Sequence, residues 1–286
     1  MNVVFFCIGA AKAGTDWLHR QLQQHPECHL RSIKELHYFD ALDSNNLKRE
    51  LLKHRGFQKD LLTKLARTGQ VPGAEQGRRL ADRASWMDVL EQGQEDVPAY
   101  LAYLQNGAAP GQVVADITPA YALLREQRLS AMAKISEDVR FLYVLRDPVE
   151  RLWSHVRMIA ARRDDKGLLT RQRCARILDR VFAGKETQIA DRSDYAGALA
   201  RLQTAVPRKQ VLVDAIEDMV AGDGVKRLCG FLGIAPVMGD LSPVHRGQSL
   251  DMTRDQRQAA AEWLVPQYDA AETALGFLPK AWSREG

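Results

Sequence analysis

The chain holds 286 residues, 45% apolar and 27% charged, a composition that excludes a collagenous or disordered chain and supplies enough apolar side chains for a real core. Its 40 Lys and Arg against 36 Asp and Glu give a net charge of +4, too small and too evenly mixed for a surface that coats nucleic acid. Val3-Val4-Phe5-Phe6-Cys7-Ile8 is a continuous apolar run rich in β-formers and reads as a strand buried on both faces of a parallel sheet. The run extends only to Ala11, half a membrane span, and lacks the basic flank of a signal peptide, so no membrane segment is expected. A small-residue turn, Gly9 to Gly14, follows, and then Trp17, Leu18, Gln21 and Leu22 fall at helical spacing until His25-Pro26. His25, Cys28 and His29 match no standard zinc spacing, and no metal is expected.

Residues 42–108 carry mixed helical signals broken by the Gly- and Pro-bearing stretch 69–77, which predicts a helical insertion. Gln112 to Asp116 reads as a strand, Tyr121 to Ile135 as one helix, and Val139 to Leu145 as another buried strand. Asp147-Pro148 starts a helix, with Asp as N-cap and Pro at its favoured first position. Helices are expected over 170–183, 193–206 and 223–232, a strand over Gln210 to Val213, and one closing helix from Met252 to Leu275. Strands separated by helices predict an α/β, three-layer, P-loop-like fold with a central, mainly parallel sheet, as one domain over 1–286. The four cysteines, Cys7, Cys28, Cys174 and Cys229, lie far apart without CxxC pairing, which points to a reducing, cytoplasmic setting.

In such sheets a ligand sits beyond the carboxyl ends of strands, where the next helix offers unpaired N–H groups and the positive end of its dipole. Gly9 to Thr15 occupies that place: its glycines let successive amides converge on an anion, Lys12 adds a cation and Thr15 a hydroxyl. An ordinary tight turn with an exposed lysine fits the same residues. The lysine stands two residues before Gly14 rather than directly after it, which departs from the GxxxxGK[ST] loop of nucleotide triphosphatases. Further along, Arg146 ends the 139–145 strand and Ser154 lies about two helical turns beyond it, so both can reach one phosphate. Residues 141–180 carry ten basic and five acidic side chains, which suits an anionic ligand nearby.

Lys12-Ala13-Gly14-Thr15-Asp16-Trp17-Leu18 resembles the 5′-phosphosulfate loop of sulfotransferases that use 3′-phosphoadenosine-5′-phosphosulfate (PAPS). Arg146-Asp147-Pro148-Val149-Glu150-Arg151-Leu152-Trp153-Ser154 is similar to the same family's 3′-phosphate motif, R-D-P-x-E-R-x-x-S, at every defined position. His245-Arg246-Gly247 is similar to the basic-Gly loop that closes over the nucleotide in the family's carbohydrate branch, and Glu35-Leu36-His37-Tyr38-Phe39 resembles the E-x-H-F-F element of its heparan-type members. The resemblance spans roughly residues 1–40, 112–158 and 193–275.

It implies that Lys12, Ala13, Gly14, Thr15, Asp16 and Trp17 hold the phosphosulfate, that Arg146 and Ser154 hold the 3′-phosphate, and that Arg246 and Gly247 close over the nucleotide. Lys12 also serves catalysis, and Glu35 is the implied general base with His37 as runner-up, the two facing the same side if their segment is extended. Asp16 stands where Thr or Ser is common and must turn away from the phosphosulfate. Ile117 replaces a frequent lysine, which weakens the transfer of a heparan-like acceptor to this chain. The expected activity is sulfuryl transfer from PAPS to a hydroxyl or amine of a small-molecule or carbohydrate acceptor, with adenosine 3′,5′-bisphosphate as product. An ATP-dependent kinase or NTPase and a non-catalytic nucleotide-binding module stand as alternatives, while acceptor identity and oligomeric state stay open.

Overall fold

The computed structural model describes residues 2–68, 71–237 and 250–282. Five strands form one parallel sheet: β1 (Val3–Gly9), β2 (Cys28–Leu30), β3 (Val113–Ile117), β4 (Val139–Leu145) and β5 (Val211–Ala215), in the order β2-β3-β1-β4-β5. The helices are α1 (Thr15–Gln24), α2 (Tyr38–Asp43), α3 (Leu47–Thr68), α4 (Ala74–Glu91), α5 (Val97–Gln105), α6 (Glu126–Met132) and α7 (Pro148–Arg162). They continue with α8 (Arg171–Phe182), α9 (Thr187–Asp191), α10 (Tyr195–Ala205), α11 (Ile216–Val220), α12 (Asp223–Leu232), α13 (Arg254–Trp263) and α14 (Val265–Leu275). None of the helices among the described residues is long and apolar enough to cross a membrane.

β1 lies in the middle, and its residues from Val4 to Ile8 are wholly buried, as a strand covered on both faces must be. Phe6 packs on Phe141 of β4 at 5.3 Å between ring centres and edge-on against Phe39 of α2, which ties the sheet to the segment that carries Glu35 and His37. The expected insertion is helical: α3 and α4 form an antiparallel pair, and α5 returns the chain to β3. The four cysteines are all buried and unpaired.

The structure differs from the sequence reading at several elements, and α2 and α11 are among the short ones that reading did not contain. The single helix expected over Tyr121 to Ile135 is a 3₁₀ turn, Pro119–Leu123, followed by α6, because Leu124 and Arg125 adopt extended backbone angles between them. The closing helix is two, α13 and α14, divided at Leu264; Pro266, which has no N–H to donate, sits in the first turn of the second, where none is needed. The short edge strand β2 and the five-residue α9 went unread, since runs of three and five residues carry no usable period.

Candidate active site

β1 ends at Gly9 against the ring of Tyr143, and a Cβ there would lie 2.5 Å from the ring's Cε2, so only glycine lets the chain leave the sheet at this point. The loop that follows turns tightly, with the Ala13 N–H donating to Ala10 O at 3.1 Å, and Lys12 takes a left-handed conformation (φ 72°). Gly14 caps α1 at φ 79°, and a Cβ on it would meet Ile216 at 2.6 Å. The outcome is a curled loop at a helix N-terminus with the Lys12 side chain over it. No side chain caps α1, so its first amides stay free for a ligand.

The second motif arrives from β4. Asp147 caps α7 by accepting the Glu150 N–H at 2.9 Å and also takes the Tyr268 hydroxyl at 3.0 Å, which fixes the helix start. Tyr195 of α10 holds the Arg146 backbone from both sides, donating to its carbonyl at 2.9 Å and accepting its N–H at 3.3 Å. The Arg146 side chain then reaches the first loop, with Nη1 donating to Lys12 O at 3.2 Å. Two motifs 134 residues apart therefore close on one cleft of about 590 Å³. Arg151 lies buried beneath the same loop without a carboxylate partner among the described residues, donating toward Ala11 O at 3.5 Å and to Ser193 Oγ.

The cleft takes Lys12, Gly14, Thr15, Asp16 and Trp17 from the loop and α1, Glu35 and His37 from the segment before α2, and Arg146 and Ser154 from the second motif. Ala13 is buried behind the loop rather than lining it, and Arg246 and Gly247 lie outside the described residues. Ser154, Met158 and Arg162 recur every four residues along one face of α7, so Arg162 lines the cleft, whereas Arg163 is spent on a bidentate pair with Glu186 at 2.8 Å and Lys166 is exposed. Lys34, Lys53, His155, Gln188 and Arg192 also line it and were not singled out from sequence. Lys34 and His155 each adjoin a recognised residue, which was the available signal; Gln188 and Arg192 belong to the unread α9.

The Glu35 segment is not extended. Glu35 and His37 are both left-handed, at φ 62° and 54°, so alternation along a strand does not place them together. The corner brings them together instead: His37 Nε2 lies 3.5 Å from Glu35 Oε2, and His37 Nδ1 lies 2.8 Å from Asp40 Oδ2. Lys34 Nζ bridges Asp16 at 2.5 Å and Glu35 at 3.1 Å, so Asp16 is neutralised and turned toward lysine, as its place in the loop required. Burial alone would raise the Glu35 carboxyl, but hydrogen bonds from His37 and Lys34 and the charge of Lys34 prevail and hold it at about 2. Burial would likewise lower the His37 imidazole, yet its bonds to Asp40 and Glu35 lift it to about 9.

Lys12 titrates below its ordinary value, first because it is buried and then because Arg162, Arg146 and Lys34 crowd it with like charge, only partly offset by Asp16. The neighbouring His155 is buried, its Nδ1 has no partner among the described residues, and burial together with the charges of Arg151 and Arg192 depresses it to about 3, so it is neutral. The cleft thus collects Lys12, Lys34, Lys53, Arg146, Arg162 and Arg192 against two carboxylates, Asp16 and Glu35. Such a surface is built to receive a polyanion.

A family model described as the sulfotransferase family matches residues 5–236. Among solved structures, the chain is similar to a sulfotransferase from Alicyclobacillus acidocaldarius, with a TM-score of 0.64 and 22% identity over 99% of both chains. It is also similar to the sulfotransferase domain of the Synechococcus PCC 7002 olefin synthase (TM-score 0.56, 20% identity, 98% of this chain and 96% of that one). The sulfotransferase domain from the curacin biosynthetic pathway matches at a TM-score of 0.53 and 18% identity, over 97% of this chain and 99% of that one. No curated protein matches. With its parallel sheet, its two converging cradles and a family match across most of its length, the chain belongs to the sulfotransferase family.

Proposed function

We propose that the chain transfers the sulfuryl group of PAPS to a hydroxyl or amine of an acceptor. The observation that supports this reading is the contact of Arg146 with the Lys12 loop, which brings two cationic motifs distant in sequence to one cleft of about 590 Å³. Lys12, the Gly14 and Thr15 amides and the α1 dipole would meet the 5′-phosphosulfate, and Arg146 and Ser154 the 3′-phosphate. PAPS supplies an activated sulfuryl group and a bisphosphate leaving group. Lys12 then neutralises the charge that grows on the leaving phosphate oxygen, and Glu35 takes the acceptor's proton as the new bond to sulfur forms.

The charge states favour Glu35 over His37 in that role. An imidazole lifted to about 9 is a cation near neutrality and has no lone pair to offer, whereas the Glu35 carboxylate is ionised. His37 orients Glu35 from a fixed place between two carboxylates. The likeness of Glu35-Leu36-His37-Tyr38-Phe39 to the heparan-type element supports a carbohydrate hydroxyl as acceptor. A magnesium-dependent NTPase is disfavoured by Asp116, the one carboxylate after a strand in the right region. It is buried, and its oxygens are taken by the hydroxyls of Tyr100, Thr118 and Tyr121 at 2.8, 2.6 and 2.8 Å.

Thermal melting tests the reading. Adenosine 3′,5′-bisphosphate is expected to stabilise the protein, by about 2.7 kcal/mol at a hundredfold excess over Kd, while ATP with magnesium does so far less. Lys12→Ala and Arg146→Ala each remove most of the effect. Across an acceptor panel, Glu35→Gln is expected to slow transfer by about 10²–10⁴. Equal stabilisation by ATP and magnesium would move the protein to the kinase or NTPase class, and unchanged activity in Glu35→Gln would remove the base.

A further inference from the structure

Arg192 follows α9 and lines the cleft, and no sequence motif assigns it a task. It is half-buried, and its one hydrogen bond among the described residues runs from Nη1 to Gln188 O of α9, at 3.3 Å. No carboxylate pairs with it there. A partly buried guanidinium without a counter-ion is costly to keep unless a ligand completes it. Three of the other cleft cations are already engaged. Lys34 is engaged by Asp16 and Glu35, Arg146 reaches the Lys12 carbonyl, and Lys53 pairs with Glu50 at 3.1 Å.

Position adds to this. Arg192 borders the main cleft together with Lys12 and Glu35, and it also lines a small void against Ala10, Ala11 and Pro119 at the back of the loop. Burial lowers its titration, the charges of Asp40, Asp191 and Glu35 act on it without contact, and its own charge reaches Arg151 and His155. It therefore shares one cleft with the loop that would hold the donor and with the carboxylate that would take the proton.

Resting on the function proposed above, we infer that Arg192 is a catalytic residue whose guanidinium holds the sulfuryl oxygens of the donor. In the transfer, the acceptor oxygen or nitrogen forms a bond to sulfur, the bond from sulfur to the phosphate oxygen breaks with its electron pair leaving on phosphate, and the acceptor's proton passes to Glu35. The three peripheral sulfuryl oxygens carry negative charge throughout, and a planar fork with fixed donors suits them better than a point charge does.

PAPS and adenosine 3′,5′-bisphosphate differ only by that sulfuryl group, so paired titration calorimetry isolates the contact without any acceptor. Arg192→Gln is expected to weaken PAPS at least tenfold and the bisphosphate less than twofold, with Arg192→Lys recovering part of the loss. Arg146→Ala, the control, weakens both ligands alike. Equal loss of both ligands in Arg192→Gln would make Arg192 a phosphate anchor, and loss of neither would detach it from the donor; each result overturns the inference. A melting curve for each variant identifies one that has failed to fold, and Arg192→Lys then supplies the comparison. Failure of the wild-type protein to bind either ligand would instead sink the proposed function.

Discussion

His37 sits between two carboxylates with its side chain only 18% exposed, and its protonation is coupled to folding. Its folded pKa, about 9, lies above the ordinary 6.5, so the stability it confers is complete below about 6.5 and is lost as pH rises through 9. Glu35 behaves in the mirror sense: held at about 2 against 4.5, its contribution is complete above 4.5 and fades as pH falls toward 2. His37→Gln is therefore expected to cost about 1–3 kcal/mol at pH 6 and little at pH 10, measured by urea denaturation at both values. An equal loss at the two pH values would mean that the ring serves packing alone. Glu35, His37, Lys12 and Arg146 were legible because each sits in a short motif whose chemistry is local. The corner that joins Glu35 to His37 was not, because two left-handed non-glycine residues with only Leu36 between them run against local preference.

At the scale of elements, that corner is held from β3. Asp116 at the end of this strand is buried and accepts the hydroxyls of Tyr100, Thr118 and Tyr121, and Tyr121 in turn accepts the N–H of Tyr38, the residue after His37. Burial raises the Asp116 carboxyl, while the three hydroxyl donors favour its charged form. Tyr121→Phe removes one of those donors and leaves the Tyr38 N–H without its partner, so a loss of about 1–3 kcal/mol is expected in denaturant unfolding. A change within about 0.5 kcal/mol would show that water replaces the hydroxyl. β1, β3 and β4 were readable because strands buried on both faces leave largely apolar runs, β5 because Val211-Leu212-Val213 is a short β-forming run, and α7 because Asp147-Pro148 is a strong helix start. The break at Leu264 was signalled by Pro266, which sits in the first turn of a new helix.

For the whole molecule, the helical insertion is bound into the core by aromatic contacts rather than hung from it. Tyr38 of α2 stacks on Tyr100 of α5 with ring centres 4.8 Å apart, and Trp86 of α4 packs on Tyr103 at the same separation. Arg128 of α6 pairs with Asp43 and Glu95, both at 2.6 Å, across the ends of the insertion. The chain is expected to unfold in a single calorimetric transition that adenosine 3′,5′-bisphosphate moves upward as a unit. An early, ligand-insensitive transition would show that α3 and α4 melt as a separate unit.

Because β1 and β4 are hydrogen-bonded neighbours, the two anion grips project from a pair of strands set about 4.8 Å apart by backbone pairing alone. Their span is a constant of the scaffold and needs no hinge to bring it to length. Lys53 of α3 reaches the same cleft from outside that pair of strands, so a change there can alter what the cleft admits without altering the spacing of the two motifs.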